Sequence, residues 1–238
     1  MSKSPYVVAA LTAVLIAVTQ FYHAPTPELP GSSSGSAAET KDTTAATDTT
    51  VELASLDALT VKGRAPKTGY EREQFGQRWS DDVTVEFGHN GCDTRNDILR
   101  RDLTNVVIKD NTHGCVVLSG TLHDPYSGTD IAFQRGKSTS SAVQIDHVVP
   151  LADAWQKGAQ AWTPEQRRNF ANDPRNLLAV DGRLNQQKGA GDAATWLPPN
   201  KAFRCDYAQR IIDVKSAYGL WVTQAEHDAL ARQLAHCP

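Results

Sequence analysis

Asp146 and His147 stand side by side in Gln144-Ile145-Asp146-His147-Val148-Val149-Pro150, at the end of an apolar run that a proline stops. Two asparagines follow, Asn176 in Asp173-Pro174-Arg175-Asn176-Leu177 and Asn185 in Arg183-Leu184-Asn185-Gln186-Gln187-Lys188-Gly189. Carboxylate and amide oxygens are hard donors, suited to a Mg²⁺ or Mn²⁺ ion that keeps several waters and accepts phosphate oxygens. An imidazole beside such a cation, with an ordinary pKa of ~6.5, is a candidate general base. Asn176 is expected to hydrogen-bond across the connecting loop and aim His147, because a misplaced base loses much of its effect. Lys188, on the same helical side as Asn185, and Arg95 are candidate phosphate contacts. Each residue also has a bland reading: a structural Asp-His hydrogen bond, a turn asparagine, a surface amide, a solvated basic face. The combination at a strand end, a strand start and a helix start points to a one-metal nuclease centre. On spacing alone, that reading and the bland one stand about level.

The elements that must hold these residues can be read from the same text. Residues 143–146 read as a strand ending at His147, and Leu177 to Val180, bounded by Asn176 and Asp181-Gly182, as a second strand. Arg183 onward is expected to be helical, which completes a strand, strand, helix unit around Asp146 and Asn185. Upstream, Thr94 with Asp97 resembles a capping signal for a helix with an apolar stripe of Ile98, Leu99 and Leu103. Strands are expected at 115–122 and 131–133, giving a small antiparallel sheet. A short helix is expected at 53–61, and Tyr70, Phe75 and Trp79 should dock on the core. Leu151 and Trp155 predict a helix ending at Gly158, and Thr163-Pro164-Glu165-Gln166 is a strong helix start. Asp206 with Gln209 predicts a helix ending at Gly219, and Thr223 with Glu226 a last one that buries Leu230 and Leu234.

Composition bounds what this unit can be. The chain has 238 residues, a hydrophobic share of 40% and five Trp, enough for one proper core. Its formal charge is -3, but the residues through Ala54 hold two basic and five acidic side chains, which leaves 22 of each sign in the rest. A neutral domain does not attract nucleic acid by its global field, so phosphate capture must come from a local basic patch or a cation. Residues 7–22 form an apolar run of about sixteen residues behind Lys3, short for a membrane span of ~20 and suited to a signal-peptide core. The cleavage site is poor, with Tyr22 where a small residue is wanted and Pro25 after Ala24. Residues 1–24 are therefore expected to be a signal peptide or an uncleaved membrane anchor, and residues 25–54, rich in Ser, Thr, Pro, Gly and Ala, a flexible linker. Residues 55–238 are expected to form the domain, secreted or extracellularly anchored. Four cysteines without a CxxC pair suit export. Of the three possible pairings, Cys92–Cys115 and Cys205–Cys237 are expected, because each brackets a self-contained unit.

With Gly91-Cys92-Asp93-Thr94-Arg95-Asn96-Asp97-Ile98-Leu99, Gln144 through Leu151, Phe170-Ala171-Asn172-Asp173-Pro174-Arg175-Asn176-Leu177, Asn185-Gln186-Gln187-Lys188-Gly189 and Trp196-Leu197-Pro198-Pro199, the sequence resembles the HNH endonuclease superfamily. Within it, the sequence resembles in particular secreted actinobacterial HNH proteins related to the GmrSD C-terminal nuclease domain. The resemblance implies an α+β fold with a ββα-metal core, and a metal-dependent DNase. Asp146 and Asn185 would be metal ligands, His147 the base and Asn176 the residue that holds the loop. It also implies hydrolysis to 5′-phosphate and 3′-hydroxyl ends, with the cation polarising the phosphoryl group. Many HNH proteins carry His where Asn185 stands, and the amide favours Mg²⁺ first and Mn²⁺ second over zinc. The expected partner is DNA, with RNA as second choice. No small-molecule cofactor is expected, the membrane enters only through the N-terminal segment, and the protein is expected to be a monomer.

Two other readings compete. One is a non-catalytic, surface-tethered DNA-binding module whose metal site is structural or degenerate. The other is a disulfide-stabilised cell-wall or protein-interaction domain.

Overall fold

Local signals account for most of the elements in the computed structural model, which describes residues 52–237. The expected leader at 1–24 and the linker up to residue 51 lie outside the described residues. Helix α1 (52–57) includes Leu53, which packs on the core. Helix α2 (Thr94–Asp102) is capped one residue before the expected position: the Asp93 carboxylate, not Thr94, accepts from the Asn96 amide. The helix then stops short of Leu103. The β-branched residues of Leu103-Thr104-Asn105-Val106-Val107-Ile108 favour a strand instead, and β1 (Leu103–Ile108) follows without a loop. It pairs antiparallel with β2 (Val117–His123), and β2 pairs antiparallel with β3 (Asp130–Gln134). The fold is thus α+β, with a three-stranded sheet in the order β1-β2-β3 and a separate pair, β4 (Val143–His147) and β5 (Leu177–Asp181).

The β4–β5 pair is antiparallel in a register that sets His147 against Leu177 and Val143 against Asp181. Side chains alternate between the faces of a strand. Val143, Ile145, Leu177 and Ala179 therefore join a core with Ile98, Leu99 and Phe133. Leu178 and Val180 face a second core built from the helices. With both faces covered, β5 reads as a continuous apolar run, although it belongs to an antiparallel pair. Helix α5 (Gly182–Lys188) follows β5 directly, capped by the Asp181 carboxylate on the amides of Arg183 and Leu184. A Cβ on Gly182 would lie 2.0 Å from the Ser141 carbonyl oxygen, so only glycine lets the 141–142 loop pass against the helix start.

Helices α3 (Leu151–Gln156), α4 (Pro164–Asn172), α6 (Arg204–Tyr218) and α7 (Gln224–Leu234) supply the second core. The Thr163–Gln166 capping box forms in both directions, and α6 ends on Gly219 in the left-handed region. Thr223 caps α7, but its box is incomplete, because the Glu226 carboxylate is held by buried lysines. The disulfides are Cys92–Cys115 and Cys205–Cys237, with Cα–Cα separations of 5.2 and 5.5 Å. Among the described residues no helix is long and apolar enough to cross a membrane.

Candidate functional site

The end of β4, the loop before β5 and helix α5 bring part of the expected constellation together. Asp146, His147 and Asn185 line one pocket of about 480 Å³, with Gln144, Lys67 and Arg72. Asn176 lies behind it, fully buried: its Oδ1 accepts from the Val149 amide at 2.8 Å and its Nδ2 donates to the Val149 carbonyl at 3.2 Å. Its own carbonyl accepts from the Val148 amide at 2.8 Å. These three bonds hold the two residues after His147.

His147 is buried and stacked on Trp79, with ring centroids 6.2 Å apart and planes at 9°. Its Nε2 lies 2.9 Å from the Ala171 carbonyl oxygen, which can only accept, so Nε2 carries the proton and Nδ1 is the free acceptor. Burial drives its pKa down to about 3, and the cations Arg72 and Lys188 push in the same direction, while the Ala171 bond opposes them. Trp79 has φ 56, a strained value for a bulky residue, which shows how firmly the surroundings impose its place beside His147.

The Asp146 carboxylate is already occupied. Its Oδ2 accepts from the Tyr126 hydroxyl at 2.5 Å and from Lys188 Nζ at 2.6 Å, and Lys188 Nζ also donates to the His147 carbonyl at 2.6 Å. Burial pulls the Lys188 pKa below its ordinary value, and attraction to Asp146 offsets part of that. Burial, reinforced by the Asp146 charge, raises the Tyr126 hydroxyl well above its usual range. The Asn185 amide donates to Gln144 Oε1 at 2.9 Å.

Among the described residues no group of three or more His, Cys, Asp or Glu side chains is placed to hold a metal ion. That finding corrects the expected Mg²⁺ or Mn²⁺ cofactor and, with it, the metal-dependent endonuclease and its hydrolytic step. The local reason is physical: an ammonium sits on the carboxylate oxygen where a divalent ion would have to compete with it. Of the two candidate phosphate contacts, Lys188 is buried on Asp146. Arg95 is held at the start of β4, with Nη2 3.2 Å from the Val143 carbonyl and 3.5 Å from that of Ser140 in the loop before it. Neither lines the pocket.

The pocket's cations come instead from Lys67 and Arg72, which sequence reasoning passed over. Only the aromatic run Tyr70, Phe75 and Trp79 marked their segment as docked. With two cations at its mouth, a neutralised carboxylate and amide groups, the site is equipped to recognise an anion by charge and hydrogen bonding.

The low pKa of His147 carries a stability consequence. Above pH 6.5 the ring is neutral in both folded and unfolded chains and contributes no slope. As pH falls from 6.5 toward 3, only the unfolded chain takes up the proton, so stability should drop by about 1.4 kcal/mol per pH unit from this residue. Urea unfolding at pH 7 and pH 4.5 should show a steeper loss for the wild type than for His147→Phe. Equal slopes would mean that the imidazole is not held neutral.

The family model that matches the chain is that of the GmrSD restriction endonucleases, C-terminal domain, over residues 93–233. A protein of Arthroderma benhamiae named "Uncharacterized secreted protein" is 41% identical over 184 residues, which cover 76% of this chain and 82% of that protein. No solved structure matches the chain.

Proposed function

The chain belongs to the family of GmrSD restriction endonuclease C-terminal domains, and from that premise we propose that it is an exported, non-catalytic nucleic-acid-binding module, with DNA as its first partner. The β4–β5–α5 unit is read as the ββα core of the HNH type with its cation site degenerate. The observation that carries this reading is the buried Lys188–Asp146 pair, which puts a fixed positive charge where the nuclease mechanism requires an exchangeable one. Export is supported by the two disulfides and by the name of the Arthroderma benhamiae relative. The linker at 25–54 would then act as a tether that holds the domain off the cell surface.

A neutral domain with a local basic mouth should bind weakly and without base readout, with Kd on the order of 10⁻⁵ M at physiological salt and tighter at low salt. In gel-shift assays with duplex DNA, the complex should form equally in Mg²⁺ and in EDTA, and supercoiled plasmid should stay intact in both. Plasmid nicking that EDTA abolishes would defeat the proposal. Absence of any shift at low salt would favour the protein-interaction reading instead.

A further inference from the structure

Residues 62–79 run as a strap across helix α3 and reach the pocket from a part of the chain that precedes the family match at residue 93. We infer that this strap carries a phosphate clamp, with Arg72 as its principal group and Lys67 as its outer one, which fixes nucleic acid at the mouth of the pocket beside His147. The inference rests on the nucleic-acid-binding reading and assigns the residues that capture the backbone.

Among the described residues, Arg72 and Lys67 are the only Lys or Arg side chains lining the pocket. Several other guanidiniums in the fold are matched: Arg64 to Asp153 and Asp192, Arg100 to Asp97, Arg175 to Asp173. Arg72 is half-buried, and among the described residues its side chain has no hydrogen bond and no carboxylate within ion-pair distance. Its neighbour across the adjoining crevice is another cation, Arg78, so burial and like charge together lower its pKa. A desolvated guanidinium facing a second cation is a site for an anion with forked oxygens, which phosphate supplies. Lys67 lies over the Tyr70 ring at 5.0 Å, an arrangement that leaves its ammonium available to a second oxygen.

Glu73, the next residue, attracts Arg72 less than burial and Arg78 disfavour its charge, and does not pair with it. Besides the two cations, the titratable side chains with a charged state near neutrality that line the pocket are Asp146, neutralised by Lys188, and His147, uncharged above about pH 3. The clamp is also held in place before any ligand arrives. Ala65 and Gln156 bond backbone to backbone at 2.8 Å, Gln160 Nε2 donates to the Pro66 carbonyl at 2.8 Å, and Trp155 Nε1 donates to the Thr68 carbonyl at 3.3 Å. Three residues beyond Arg72, Phe75 is sunk in the core against Trp155 and Phe170. A group fixed in advance loses less freedom on binding.

The test uses the full chain with two probes, a fluorescent duplex oligonucleotide read by anisotropy and inorganic pyrophosphate read by calorimetry. Arg72→Ala should weaken both about tenfold and reduce the slope of log K against log salt by about one, with Lys67→Ala smaller. Arg72→Lys should restore part of the affinity. Arg183→Ala, a 93% exposed side chain off the pocket, should change nothing. Because among the described residues the Arg72 side chain makes no hydrogen bond or ion pair, the melting temperature of Arg72→Ala should match the wild type, and circular dichroism of each variant checks that. Wild-type affinity and salt slope in Arg72→Ala and Lys67→Ala would overturn the clamp while leaving the proposed function in place. Pyrophosphate binding that depends on Arg72, without oligonucleotide binding, would keep the clamp and overturn the function. Binding of neither probe by the wild type would overturn both.

Discussion

Lys188→Ala should lower folding stability by about 3–5 kcal/mol, because it strands the Asp146 carboxylate in the interior with only the Tyr126 hydroxyl for company. The same change leaves the His147 carbonyl without its 2.6 Å donor. Asp146→Asn should cost less but still more than a surface change, since the amide keeps an oxygen for Tyr126 while the ammonium loses its counter-charge. The double variant Lys188→Met with Asp146→Asn should recover part of the loss, giving a coupling energy that urea unfolding of all four proteins can measure. The outcome bears on function directly. If each single variant loses less than about 1 kcal/mol, the pair is not a structural clasp, and Asp146 is free to serve an exchangeable cation. A loss of the expected size means that the fold itself depends on an ammonium at that oxygen.

That pair also shows where sequence reading runs out. Lys188, one turn of helix from Asn185, reads equally well as a phosphate contact or as a buried partner, because spacing places a residue on a side of a helix without saying what covers that side. Here the end of β4 covers it. Asp146 and His147 were recognisable because the strand signal and the proline are local features, whereas the register that sets His147 against Leu177 belongs to the fold. The cysteine pairing and the stops at Gly158 and Gly219 were legible for the same reason. Strand β1 was not, since Leu103 continues the stripe of Ile98 and Leu99, and only the β-branched residues beyond it decide against helix. Arg72 meets His147 across 75 positions of chain, and no periodicity connects them. Asp153 on α3 and Lys157 at its C-terminal cap, four apart, resemble an ordinary solvated pair, yet both are buried.

Those two residues belong to the second prediction. Lys157 Nζ lies 2.7 Å from Asp153, 2.8 Å from Asp192 and 2.6 Å from Glu226, and Lys215 shares Asp153 and Glu226 at 3.3 and 2.8 Å. Arg64 closes the cluster from the strap on Asp153 and Asp192. Three cations thus meet three carboxylates. Burial works against the Lys157 charge, but Asp153 and Glu226 outweigh it, and its pKa stands above the ordinary value. Lys157→Met should remove about 3–5 kcal/mol of stability, because it leaves three buried carboxylates facing two cations and leaves Lys215 alone to link α3 to α7. Arg64→Ala should cost far less, since its side chain is 34% exposed and solvent screens the pair. It cuts the strap from α3 at the end that leads to Lys67 and Arg72, so its effect should fall on binding more than on stability. Thermal unfolding and oligonucleotide anisotropy on the same two variants separate these outcomes. If Arg64→Ala binds as the wild type does, the remaining bonds to Gln156, Gln160 and Trp155 are enough to hold the strap, and the buried cluster serves the helical core alone.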